Sequence, residues 1–385
     1  MRTARPAHRK LQPFGLGLLH SAAMDYRLRQ TNLRVELARI RVDALLVSHL
    51  PNIRYLCGFT GSAGLLLVEE TGCVFFTDSR YDRQAREQVL GARVVVSNKN
   101  LLVALADWTQ RKKSKRRQTI GIEAGHVTVA EKKRLSALLL SSQKLKDAPA
   151  LVERARMVKD EDELDCIREA VCLGAMLFER ALEVIRPGIR EVEVAAAMEN
   201  MARRAGAEQM SFATIVASGE RSALPHGRAT SAVIEPGGFV VCDWGVILSG
   251  YCSDQTRTVW VGRTIEPDAR VAYEAVREAQ QAAINAVKPG VTVDKVDAAA
   301  RKVLRKAGLG RYFTHSTGHG VGIEIHEEPR VAAGQGQELA AGMVITIEPG
   351  IYLPGRWGIR IEDMVVVTEQ GCEVLTPTGK KLLVL

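Results

Sequence analysis

Apolar positions in the first third of the chain fall into short runs separated by polar, helix-like stretches. Ala44–Val47, 65–68 and 74–77 have the length of buried strands. Helices are predicted at 26–41, 81–90 and around 101–110, with a further strand at 119–123. The stretch 52–64, rich in glycine and small polar residues, reads as turns. Strands alternating with helices predict an α/β unit over 24–148 with a mixed or parallel sheet.

Pro149 marks a boundary, and residues 149–385 form the second predicted domain. Asp160 and Glu163 have the spacing of a capping box. A long helix should follow them and stop at Pro187-Gly188. An internal duplication then appears. At a constant offset of 102, Pro187, Gly188, Arg203, Ala205 and Gly206 recur as Pro289, Gly290, Arg305, Ala307 and Gly308. Each copy reads as helix, Pro-Gly stop, helix and strands, so two similar halves should face each other across a cleft.

Two strand-turn-strand patterns lie in these halves. The apolar runs of 240–261 flank Leu248-Ser249-Gly250, a turn signal whose centre would set Asp243 opposite Asp254. The runs of 344–367 flank Pro354-Gly355, which would set Glu348 opposite Glu362. Like charges facing each other on a buried sheet repel. Two such pairs call for compensating positive charge, and two divalent ions balance four carboxylates. The glycine-rich segment 315–326 holds His315, His319 and His326, and His319 between two glycines is a good nitrogen ligand. Mixed oxygen and imidazole donors suit Mn, Co, Zn or Fe(II) better than Ca.

Composition is that of an ordinary globular protein, 46% hydrophobic and 25% charged, so its cores need no staples. The net charge of +9 suggests nucleic acid until its distribution is read. Residues 1–23 hold four basic residues and no acid, and the run from Arg111 to Arg117 holds six more. The rest is close to neutral, so no nucleic-acid partner is expected. The basic run reads as a solvated loop. Residues 1–23 read either as a weak secretory leader or as a start assigned upstream of Met24. The sequence has no apolar stretch of membrane-spanning length. Seven cysteines without a CxxC pattern suit a reducing cytoplasm.

The segments Ala223-Leu-Pro-His-Gly227, 243–257, 317–329 and 344–364 resemble the pita-bread metallopeptidases, a group that includes Xaa-Pro dipeptidase (prolidase), aminopeptidase P and methionine aminopeptidase. Residues 53–64 and 77–81 resemble the extra amino-terminal domain of the prolidase and aminopeptidase P branch. The implied architecture is an α/β amino-terminal domain plus an α+β pita-bread catalytic domain with an internal pseudo-twofold duplication. The resemblance implies that Asp243 ligates one metal, that Asp254 and Glu362 bridge both, and that His319 and Glu348 complete the other site. It implies substrate contacts for His226 and His326, a proton-transfer role for Glu348, and hydrolysis of Xaa-Pro peptides by a metal-bridging hydroxide in a homodimer. Arg360, two residues before Glu362, reaches the cleft either to bind a substrate carboxylate or to brace the metal carboxylates.

Three other readings share the fold. Creatinase works without metal, which the complete ligand set opposes. Methionine aminopeptidase usually lacks the first domain. A non-catalytic peptide-binding protein would have no need of all five ligands.

Overall fold

The computed structural model of the chain describes residues 24–111 and 117–385. The leader and most of the basic run lie outside the described residues. The amino-terminal sheet has six strands, in the spatial order Arg93–Val96, Gly72–Thr77, Leu65–Glu69, Ala44–Val47, Gln118–Glu123 and Gln143–Ala148. It is mixed: Ala44–Val47 runs antiparallel to Leu65–Glu69 and parallel to Gln118–Glu123. The central strands Ala44–Val47 and Leu65–Glu69 are buried along their whole length, which explains their uninterrupted apolar runs.

Part of the stretch expected to be turns is a helix, Leu50–Cys57. The helix begins just before that stretch and carries Pro51 in its first turn, where a proline is tolerated. Gly58 then ends the helix in the left-handed region at φ 81°. A second helix without a sequence signal, Leu151–Met157, follows Pro149. Its Leu151 and Val152 pack into the amino-terminal core, whereas Met157 packs into the core of the second half of the carboxy-terminal region. One short helix therefore belongs to two cores.

The capping box at Asp160 forms as expected. Its carboxylate accepts from the Glu163 amide at 2.9 Å, and the Glu163 carboxylate accepts from the Asp160 amide at 3.1 Å. The helix runs Glu161–Val184 and buries Leu164, Ile167, Val171, Leu177, Phe178 and Ala181 along one face. Below it, Trp244 stacks on Phe178 with ring centres 5.1 Å apart and donates to the Gly174 carbonyl.

The duplication is visible in backbone detail. Helices Glu161–Val184 and Glu191–Arg204 in one half answer Pro267–Ala286 and Val293–Lys306 in the other. Gly188 and Gly290 both have positive φ and donate to the Ile234 and Leu339 carbonyls, at 3.0 and 2.8 Å. Each half carries an antiparallel sheet. One has the order Gln255–Val261, Gly238–Trp244, Ile215–Ser218; the other centres on Gly318–Gly320, Val344–Ile347 and Asp363–Val367.

Arg257 ties the two sheets together. Its guanidinium, buried from solvent, donates to Asp363 at 2.7 Å and to the carbonyls of Glu362, Thr378 and Gly379. Asp363 also accepts from Gln280 and Lys380. Removing one partner of such a pair strands a buried charge. Arg257→Met should therefore cost about 3–5 kcal/mol, read as a lower midpoint in denaturant unfolding.

Candidate active site

The first hairpin places its carboxylates by a tighter turn than expected. Ser249 and Gly250, at φ 51° and 85°, form a two-residue turn of the kind that matches strand twist. Leu248 then pairs with Tyr251, and Asp243 faces Thr256, not Asp254. Asp254 is the diagonal neighbour, two residues from the expected pairing. Because side chains alternate with period two, that shift keeps both acids on one face. In the second hairpin Ile347 pairs with Asp363 and Gly350 with Arg360. Glu348 and Glu362 thus face each other as expected, in the gap between two ladders that Pro349 interrupts.

Asp254, His319 and Glu362 converge, with one donor atom from each lying within 4.8 Å of the others. The His319 Nε2 lies 3.5 Å from an oxygen of Asp254 and 3.5 Å from one of Glu348. The imidazole Nδ1–H donates to the Gly320 carbonyl at 2.9 Å, so its Nε2 lone pair faces the carboxylates. Thr346 donates to Glu348, and Thr256 donates to Glu362 at 2.7 Å. Asp243 joins the group through Arg360, whose Nη2 donates to it at 2.5 Å. The other Asp243 oxygen is buried without a partner. Acceptors facing acceptors, with an orphaned carboxylate oxygen beside them, fit divalent cations.

The titration of these groups carries the same signature. Burial, and after it the charges of Glu362, Asp243 and Glu348, pushes the Asp254 carboxyl well up. Burial, and after it the charges of Glu348 and Asp243, pushes Glu362 up as well. Burial raises Glu348 to about 8; Asp243 adds to the rise, and Arg360 and Thr346 oppose it. Burial holds the His319 imidazole down at about 4, in the neutral form a metal needs.

All eight residues singled out in the sequence line one cavity of about 820 Å³. His226 and His326 are exposed to it, and the His326 ring meets the His319 ring at 4.4 Å. Arg360 is committed to protein partners: Asp243, the Thr256 hydroxyl, the Pro225 carbonyl and the Tyr352 hydroxyl. Tyr352 in turn donates to His315 at 2.9 Å. Tyr352 was not singled out, although its place on the strand paired with that of Arg360 could have suggested it. Arg228 and Arg330 also line the cavity and, among the described residues, have no ion-pair partner. The amino-terminal region adds His126, with Glu153 and Arg156 from the bridging helix, to the opposite wall. No sequence spacing links these to the carboxylates.

Residues 165–369 match the model of metallopeptidase family M24. The chain belongs to that family. Residues 29–158 match the creatinase/prolidase N-terminal domain. An uncharacterized peptidase, YqhT, of Bacillus subtilis is 38% identical over 93% of this chain and all of its own. An Xaa-Pro dipeptidase from Bacillus anthracis is 37% identical with a TM-score of 0.89, covering 94% of this chain and all of that one. An X-Pro aminopeptidase from Thermotoga maritima is 38% identical with a TM-score of 0.83, covering 91% of this chain and all of that one. As an M24 metallopeptidase, the chain binds divalent metal for catalysis. Among the described residues no helix is long and apolar enough to cross a membrane.

In the metal-free M24 site a raised carboxyl favours the folded state only while protonated. For Glu348 that stabilisation is complete below its ordinary value of 4.5 and is lost as pH rises through about 8. Metal-free protein should therefore lose thermal stability from pH 5 to pH 8. Saturating divalent metal should raise the melting temperature, most at the alkaline end. Scanning fluorimetry at pH 5, 6.5 and 8 checks both; a metal-free midpoint that climbs with pH would contradict the protonated cluster.

Proposed function

We propose that the chain removes the N-terminal residue from peptides with proline second, as an Xaa-Pro aminopeptidase or Xaa-Pro dipeptidase. The observation that carries this reading is the convergence of Asp243, Asp254, His319, Glu348 and Glu362 in one cavity. The likeness to the Bacillus anthracis dipeptidase and the Thermotoga maritima aminopeptidase supports the preference for proline.

Asp243, Asp254, His319, Glu348 and Glu362 would hold two divalent ions, of Mn, Co, Zn or Fe. When bound, such ions would supply Lewis acidity for the scissile carbonyl and a more acidic water at neutral pH. Glu348 takes the proton of the attacking water and passes it to the leaving nitrogen. That transfer matters for an Xaa-Pro bond, whose tertiary amide has no N–H of its own. His326 donates to the developing oxyanion, and His226 contacts the bound carbonyl. The full set of protein partners around Arg360 supports the bracing role for it. A dipeptide's free carboxylate finds its counter-charge at Arg228 or Arg330, the unpaired guanidiniums of the cavity. All seven cysteines are free thiols, which supports a reducing compartment such as the cytoplasm. Resemblance to the prolidase branch supports a homodimer, which sedimentation would test.

Chelation should abolish peptidase activity, and Mn or Co should restore it. Asp254→Ala or Glu362→Ala should no longer retain metal. Ala-Pro and Leu-Pro substrates should be cleaved far faster than Ala-Ala. Arg360→Ala should harm dipeptides and tripeptides alike, whereas Arg228→Ala combined with Arg330→Ala should raise the dipeptide KM roughly tenfold and spare tripeptides. Full activity in metal-stripped protein, or Met-Ala-Ser as the best substrate, would overturn the reading.

A further inference from the structure

His326 lies on the loop that joins Gly318–Gly320 to Glu327–Val331, where its exposed ring meets the His319 ring at 4.4 Å. Two acids bracket it, Glu324 and Glu327. Both line the cavity that the carboxylates share, and both reach Arg156 on the helix shared by the two cores. The Arg156 Nη2 donates to Glu324 at 2.8 Å and to Glu327 at 2.5 Å. Arg156 is 2% exposed and the Glu327 side chain is buried with it, whereas Glu324 is half-buried at the cavity edge. Lys159 adds a second cation to Glu327 at 3.2 Å. Glu327 also accepts from the Glu324 amide at 3.1 Å, which closes the loop on itself. Gly322 packs so tightly beneath that a Cβ there would sit 2.6 Å from a Glu327 oxygen.

The other end of this contact chain lies in the amino-terminal domain. The Arg156 Nη1 donates to the Asn52 side chain at 2.7 Å. Asn52, fully buried, donates in turn to Glu123 and Glu153. His49 meets Glu324 at 3.0 Å, and its ring stacks on that of His126. Burial opposes ionisation of Glu324, but the contacts with His49 and Arg156 hold its carboxyl down at about 2. Loop acids and anchoring cations are thus charged together, and the anchor persists through the neutral range.

From this geometry we infer that the amino-terminal domain sets the position of His326, and that Arg156, held by Asn52, is the positioning residue that does so. The inference rests on the role given to His326 above. It assigns to the amino-terminal domain a part in the chemistry, since a group that stabilises a transition state must be held to a fraction of an ångström.

The experiment uses the full-length, metal-loaded protein with Arg156→Met, Arg156→Lys and Asn52→Leu, each alone and with His326→Ala. Arg156→Met should lower kcat roughly tenfold to hundredfold with KM nearly unchanged, and Arg156→Lys should restore part of the loss. In the His326→Ala background Arg156→Met should cost no further kcat. Amide hydrogen exchange should quicken across 321–327 while the ladder Gly350–Leu353 with Trp357–Arg360 stays protected. Where Arg156→Met fails to fold, Asn52→Leu should show the same pattern more weakly. Additive losses with His326→Ala, a change in KM alone, or unaltered exchange at 321–327 would overturn the inference. If the unmodified protein cleaves no peptide, the functional reading fails, and the exchange result still decides whether Arg156 holds the loop.

Discussion

Mutual repulsion among three buried carboxylates and a half-buried fourth, set against one guanidinium, is the constraint on which the catalytic cleft depends. Two unit charges 4 Å apart repel by roughly 4 kcal/mol at an effective dielectric of 20. Asp243, Asp254, Glu348 and Glu362 cannot all be ionised there without added positive charge, and Arg360 neutralises only one of them by contact. The raised carboxyls are the metal-free answer to this problem, and divalent cations are the functional one. Much of the surrounding structure keeps the acids from relaxing apart. The Thr256 hydroxyl ties Glu362 to Arg360, and Arg257 holds the Glu362 backbone.

The duplicated halves explain how such a cluster is held. Each half supplies an antiparallel sheet backed by a helix pair, and the faces with carboxylates meet. The scaffold is nearly symmetric, but the donors are not: one half contributes two aspartates, the other a histidine and two glutamates. The side chains set into the two similar backbones are therefore chemically unlike.

Much of this was legible in the sequence, because it depends on local signals. The capping box at Asp160, the Pro-Gly stops and the 102-residue offset each report on a few neighbouring positions. The pairing of Glu348 with Glu362 followed from a Pro-Gly turn whose centre is unambiguous. The pairing of Asp243 was misjudged, since Leu248-Ser249-Gly250 permits more than one turn and only backbone conformation decides between them. Parity saved the conclusion: a two-residue error leaves the same side chains on the same face. Arg360 left two roles open, and its partners Pro225, Thr256 and Asp243 are too distant in sequence for spacing to choose. The helix Leu151–Met157 and the anchor at Arg156 were not legible at all. Their partners lie about 100 residues before and 170 after them, with no periodic pattern to betray the contact.

That shared helix has a consequence for the chain as it is made. Synthesis delivers the amino-terminal sheet and Asn52 first, then Arg156, and only much later Glu324 and Glu327. Domains tend to fold in the order in which they emerge. Arg156 must therefore remain hydrated beside a finished domain, with Met157 lacking its core, until the second half of the catalytic region arrives. During that interval the emerging chain displays an unpaired cation next to an apolar side chain, a surface that the completed protein removes from view.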